Sequence, residues 1–232
     1  MFCAVAMNST GRSARADTAG PGRRAAVPAA GGGAIRLFDI LIAILTIAFA
    51  APLLVMVALA IKLSDGGPVL FGHRRIGRGG HDFDCLKFRS MVIDADQRLA
   101  RVLANDPEAR AEWARDHKLR NDPRITPLGA FLRRSSLDEL PQLFNVLRGE
   151  MSIVGPRPIV AGEAPRYGRR LRSYCSVRPG ITGLWQVSGR NDVSYRRRVA
   201  MDTLYAGRKN LAWDIRILLL TVPAVLLTRG SY

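Results

Sequence analysis

A chain of 232 residues is long enough for one well-buried domain with extensions, and its 35 Lys and Arg against 19 Asp and Glu give a formal net charge of +16. That balance points to a polyanionic partner: anionic lipid, a phosphorylated substrate or nucleic acid. Cys3, Cys85 and Cys175 and the scattered His73, His81 and His117 lack the spacing of a zinc site, and the cysteines read as free thiols in a reducing compartment.

Residues 1–34 are rich in Gly, Ala, Pro, Ser and Arg without an apolar period, so a basic, disordered tail is expected. An almost unbroken apolar run follows, LFDILIAILTIAFAAPLLVMVALAI over 37–61, long enough to cross a bilayer. A cleaved leader fits badly, because Asp39 interrupts the run and cleavage after Ala48-Phe49-Ala50 would leave a strongly apolar terminus. A single span conflicts with positive charge on both flanks: Arg12, Arg15, Arg23, Arg24 and Arg36 before, Lys62, Arg74, Arg75 and Arg78 after. Pro52, near the middle, removes a backbone donor and can bend a helix sharply. A helix–break–helix over 35–62 that enters one leaflet and returns keeps both flanks in the cytoplasm. The charge rule favours this re-entrant hairpin over a span.

Gly66-Gly67-Pro68 turns the chain into a short strand at Val69-Leu70-Phe71. After the Gly77–Gly80 loop, alternation over Phe83–Met91 puts Phe83, Cys85, Lys87 and Arg89 on one strand face. Two cations beside a Gly-rich turn suit a phosphate, though an ordinary solvated face has the same pattern. Residues 92–117 read as solvent-facing helix, restarted at Pro107 with Asp106 as its cap. Thr126-Pro127 begins another, carrying Leu128, Phe131 and Leu132 inward and ending at Arg133-Arg134.

Next comes the stretch RRSSLDELPQ, 133–142, which holds the adjacent carboxylates Asp138 and Glu139. Pro141 suits a first helical position and Gly149 a C-terminal stop, placing the acidic pair at the mouth of a short helix, where anions are favoured. Ser136 with Glu139 also fits a capping box. The surrounding cations shift the weight toward chemistry, since a carboxylate can attack phosphorus when cations hold the anionic substrate.

Prolines on both sides of Arg157 fix its direction, and a guanidinium suits bidentate phosphate recognition. In RPGITGLWQVSGR, 178–190, glycines would let backbone approach a ligand, Trp185 offers a flat face and Arg190 another cation. Leu211 to Leu227 is apolar but broken by Asp214, Arg216 and Pro223, which suits an interfacial helix with Trp213 at headgroup depth. The fold class expected is α+β, mostly α: a re-entrant helix and a small cytoplasmic domain over 63–232 with short strands and interfacial helices.

KFRSM (87–91), SSLDELPQL (135–143), GEMSIVGPRP (149–158) and RPGITGLWQVSGR (178–190), behind a membrane-dipping segment, resemble the bacterial sugar transferases. These are monotopic polyprenyl-phosphate sugar-1-phosphate transferases, and the likeness covers roughly residues 35–232, closest to exopolysaccharide-initiating members. It implies an inner-membrane enzyme with its domain on the cytoplasmic face, taking a UDP-sugar and undecaprenyl phosphate. It implies Asp138 as nucleophile, Glu139 positioning Mg²⁺ or handling protons, and both as the metal's ligands. Lys87, Arg89, Arg134, Arg157 and Arg190 would hold phosphates and nucleotide. The family's break usually reads Ser-Pro; here it is Ala51-Pro52, without the hydroxyl. The alternative is a non-catalytic basic protein bound to membrane surfaces, which would not need Asp138 or Glu139. Nucleic acid is disfavoured, because the cations lie dispersed among Gly-Pro loops with few aromatics.

Overall fold

The computed structural model describes residues 32–116, 119–189 and 193–226. Its elements in order are helix α1 (Gly32–Asp65), hairpin strands β1 (Leu70–Ile76) and β2 (Asp82–Phe88), and helices α2 (Ala95–Asn105), α3 (Pro107–Asp116), α4 (Pro127–Arg134) and α5 (Gln142–Arg148). Strand β3 (Ser152–Val154), helices α6 (Ala164–Tyr167) and α7 (Leu171–Tyr174), strand β4 (Gly180–Thr182) and helices α8 (Leu184–Val187), α9 (Tyr195–Arg208) and α10 (Leu211–Leu226) complete it. The architecture is mostly helical, with β1 and β2 paired antiparallel and β3 and β4 parallel. Most of the expected tail, 1–31, lies outside the described residues, while residues 32–34 already belong to α1.

Helix α1 is continuous for 34 residues with Pro52 inside it, so the break expected there is not a break in the helix. At about 1.5 Å per residue a straight helix of that length would reach about 51 Å, well beyond a hydrocarbon core of about 30 Å. Both of its halves rest on the same domain. Toward the N-terminus, Arg36 donates to the carbonyls of Val146 (2.6 Å) and Leu147 (3.0 Å) in the last turn of α5. One turn on, the buried Asp39 accepts from Ser152 Oγ (2.8 Å) and Ile153 N (2.8 Å). Its carboxylate is therefore the polar pin between α1 and β3, which explains why an acid interrupts the apolar run. Toward the C-terminus, Val57 and Ile61 pack on Phe88 and Leu132. Between these anchors the outer face is apolar and bare, with Phe49 90% exposed and Leu45, Val55 and Met56 uncovered.

Several short expectations match. Thr126 Oγ1 accepts from Gly129 N (2.9 Å), and Asp106 Oδ1 accepts from Glu108 N (2.9 Å) and Ala109 N (3.0 Å), as caps should. Leu132 is buried, but Phe131 is turned outward, 52% exposed, because the short α4 offers the core only one narrow face. Strand β1 begins where expected yet runs on to Ile76, its register pairing His73 with Cys85. Helix α10 also has a buried face that the sequence did not announce. Asp214 is buried, accepting from Tyr205 Oη (2.6 Å), and the half-buried Trp213 packs against the main core. Ile215, Leu219 and Val222, at i, i+4 and i+7, still form an exposed apolar stripe.

Candidate active site

The acidic pair sits on a short turn forced by its own backbone. Helix α4 ends at Arg134, and Ser136 then takes a left-handed conformation (φ 57°), the only non-glycine with positive φ among the described residues. Such a conformation costs on the order of 1–3 kcal/mol and persists where surrounding structure requires it. The turn starts a single 3₁₀ turn, Leu137–Glu139, that runs through Pro141 into α5, with Gly149 (φ 84°) closing the helix. It carries Asp138 inward, its side chain 10% exposed, while Glu139 stays half-open. No capping box forms, because the Ser136 side chain caps nothing and the Glu139 carboxylate is turned to a lysine.

That lysine is Lys87 of β2, whose Nζ lies 2.6 Å from Glu139 Oε1 and 3.8 Å from Asp138 Oδ2. Burial pushes the Asp138 carboxyl above the usual carboxylate range; Lys87 opposes this, Glu139 adds to it, and Arg133 opposes it more weakly. Of the arginine pair it is Arg133, held by its Nε bond to Ser90 Oγ (2.8 Å), that acts electrostatically on Asp138. Arg134, the expected phosphate ligand, lies exposed on the next helical position. Arg89 is committed elsewhere: its guanidinium pairs with Asp65 at the end of α1 (Nη1 to Oδ2, 2.6 Å), leaving its side chain 9% exposed. It joins helix and hairpin, and does not share the dyad with Lys87.

One residue that sequence reasoning passed over sets this geometry. Asn145 of α5 is fully buried, accepts from Leu86 N (2.9 Å) and donates to Asp84 O (2.8 Å) and Glu150 Oε2 (2.6 Å). These bonds fix α5 to the strand that carries Lys87, and so hold the lysine against the acidic turn. Its sequence signal was an amide in the middle of the helix QLFNVLR, flanked by Phe144 and Val146.

A second cluster lies across Cys85, a buried thiol raised by desolvation and within electrostatic range of Lys87, Arg75, Glu139 and Arg157. Arg157, exposed between its prolines, approaches the Trp185 ring (6.0 Å), which Arg198 stacks at 4.6 Å. Arg75 donates to Pro158 O (3.1 Å), bracing that loop. Arg157, Trp185, Arg198 and Asp202 line a small cavity. Gly155, Gly180 and Gly183 of this region let backbone pack against backbone. A Cβ at Gly180 would meet Gly155 N at 2.0 Å, and one at Gly183 would meet Gly155 O at 2.2 Å. Arg190 lies outside the described residues.

Asp202 is also buried, accepting from Tyr167 Oη (2.8 Å). Burial raises its carboxyl from 3.8 to about 7, opposed by the Tyr167 hydrogen bond and by Arg157 and Arg198. Between these values the folded chain keeps a proton that the unfolded chain has released, so this contribution to stability is full below about pH 4 and lost by about pH 7. Asp202→Asn is therefore expected to flatten the decline in Tm across that window. An unchanged slope would contradict the burial of this carboxyl.

Among the described residues no group of three or more His, Cys, Asp or Glu forms a metal cage. Asp138 and Glu139, which share Lys87, are the carboxylates that would hold Mg²⁺, an ion commonly bound by one or two carboxylates together with substrate phosphates. A buried carboxyl raised by desolvation would gain from a further cation.

A family model described as bacterial sugar transferase matches residues 32–228. The chain is 50% identical over 226 residues to the exopolysaccharide production protein ExoY of Rhizobium meliloti, covering 97% of this chain and 100% of that protein. It is 54% identical over 198 residues to the undecaprenyl-phosphate galactose phosphotransferase of Salmonella typhimurium, covering 85% of this chain and 41% of that protein. The UDP-glucose:undecaprenyl-phosphate glucose-1-phosphate transferase of Caulobacter vibrioides is 41% identical over 205 residues, covering 85% and 71%.

Proposed function

The chain belongs to the bacterial sugar transferase family, and from that premise we propose that it moves a sugar-1-phosphate, galactose- or glucose-linked, from a UDP-sugar to undecaprenyl phosphate at the start of exopolysaccharide synthesis. A phosphoglycosyl transferase of this kind needs a nucleophile or a base beside its phosphates. The observation that carries the reading is Asp138: a buried carboxyl aimed by the strained Ser136 turn, with Lys87 and Arg133 on it.

The proposed reaction has two displacements. An oxygen of Asp138 attacks the sugar-linked phosphorus, the bond from that phosphorus to the bridging oxygen breaks, and UMP leaves with both electrons. A phosphate oxygen of undecaprenyl phosphate then attacks the same phosphorus and releases the aspartate, giving a lipid-linked diphosphate sugar. Lys87 favours the ionised form of Asp138 against the effect of burial and would meet charge developing on the phosphoryl oxygens, with Arg133 adding positive potential. Arg157, exposed beside the Trp185 ring, would hold the remaining phosphate. Mg²⁺, held by Asp138 and Glu139, would neutralise diphosphate charge.

The membrane part of the proposal keeps α1 re-entrant in the bacterial inner membrane, with the domain on the cytoplasmic face. What supports it is that Arg36 and Asp39 near one end, and Val57 and Ile61 near the other, rest on one domain. A helix crossing fully would carry one of those anchors to the far side. The exposed stripes of α1 and α10 would share the leaflet and bring the lipid phosphate to the site.

Exchange of radiolabelled UMP into a panel of UDP-sugars, without lipid, tests the chemistry. Label is expected in the chain's own donor alone. Absence of exchange with every donor, in a preparation that completes the full transfer, would reject the two-step route.

A further inference from the structure

Beyond the transfer reaction, the segment 166–170 and the first turns of α9 enclose an open groove of about 510 Å³. Its walls are Arg166, Arg169, Arg170 and Arg196, with Tyr195 on one side and Tyr167 beneath, and no acid is among the residues lining it. Arg166 lies over the Tyr195 ring at 4.9 Å. Arg169, Arg170 and Arg196 are exposed and have no hydrogen-bond or ion-pair partner among the described residues. The nearby acids are already engaged: Glu163 accepts from Val160 N (3.1 Å) and lies 3.8 Å from Arg75, and Asp202 accepts from Tyr167 Oη (2.8 Å). Four guanidinium groups around one concavity repel each other, and a multivalent anion would relieve that repulsion.

We propose that this groove is a second anion site, distinct from the Asp138 site, which takes a small soluble ligand bearing two or more phosphate groups, of the pyrophosphate or nucleoside-diphosphate class. Its shape favours such a ligand over a bilayer surface. Among the described residues no large apolar side chain between 148 and 203 is exposed, whereas the bilayer-suited faces of α1 and α10 are lined with them. Tyr167 and Tyr195 also line the cavity of Arg157 and Trp185, so a ligand here abuts the catalytic side through shared walls.

The test is calorimetric titration of inorganic pyrophosphate into the full chain held in phosphatidylcholine nanodiscs. The Arg169→Gln, Arg170→Gln, Arg196→Gln triple variant, which alters only exposed side chains, is expected to bind one equivalent fewer than wild type, while Lys87→Met keeps that equivalent. Because binding is read without turnover, failure here is separable from failure of the transferase reading. Unchanged stoichiometry in the triple variant overturns the proposal. If the variant keeps its pyrophosphate but loses the gain in flotation that phosphatidylglycerol gives the wild type over phosphatidylcholine vesicles, the groove is a headgroup contact and the proposal is likewise overturned.

Discussion

Asp138→Asn is expected to lower turnover by on the order of 10⁴-fold or more, the scale seen when a covalent nucleophile is removed and only binding and electrostatic stabilisation remain. Asparagine matches aspartate in shape but cannot form the acyl-phosphate. The variant should stay folded, because a carboxyl whose ionisation is opposed by burial gives up an unfavourable charge. It should also stay on membranes, because Phe49, Leu45 and Met56 on α1 and Leu219 and Val222 on α10 are untouched. Steady-state transfer measured beside vesicle flotation separates the two. Wild-type turnover in this variant would remove Asp138 from the chemistry and favour a membrane-binding protein without catalysis.

Lys87→Met is expected to cost about 10²- to 10³-fold in kcat/KM, as for a preorganised group that meets developing charge. It should also move the pH profile in a determined direction. Lys87 is the strongest influence holding the Asp138 pKa down against burial, so its loss raises that pKa further. Activity needs the ionised carboxylate, and the acid limb of kcat/KM therefore shifts to higher pH. Lys87→Arg, which keeps the charge, should hold the limb near its original position. A rate loss with an unmoved limb would show that Lys87 serves substrate binding without tuning Asp138.

Much of the local structure was readable because the controlling signals are local. Pro141 and Gly149 bounded α5, and Asp106 before Pro107 capped α3, through bonds that span only a few residues. Side-chain direction within an element was harder. Arg133 and Arg134 are neighbours in sequence but about 100° apart around a helix, so only the packing of α4 decides which one meets Asp138. Arg89 looked like the natural companion of Lys87 in strand alternation, but β2 ends at Phe88 and its partner is Asp65, 24 positions away. Asp39 was visible only as an interruption of an apolar run. Its reason is Ser152 and the amide of Ile153, more than a hundred residues downstream. Gly155, Gly180 and Gly183 carry the same lesson, since a glycine that admits a ligand and one that admits another backbone are alike until the chain is folded.

The most direct measurement is a rapid quench of the purified enzyme with its UDP-sugar and no lipid acceptor, followed by proteolysis and peptide mass analysis. A phosphosugar mass added to the peptide bearing Asp138, and absent when undecaprenyl phosphate is supplied before quenching, is the expected result. UMP release without any adduct on that residue, or an adduct on a different one, would contradict the account.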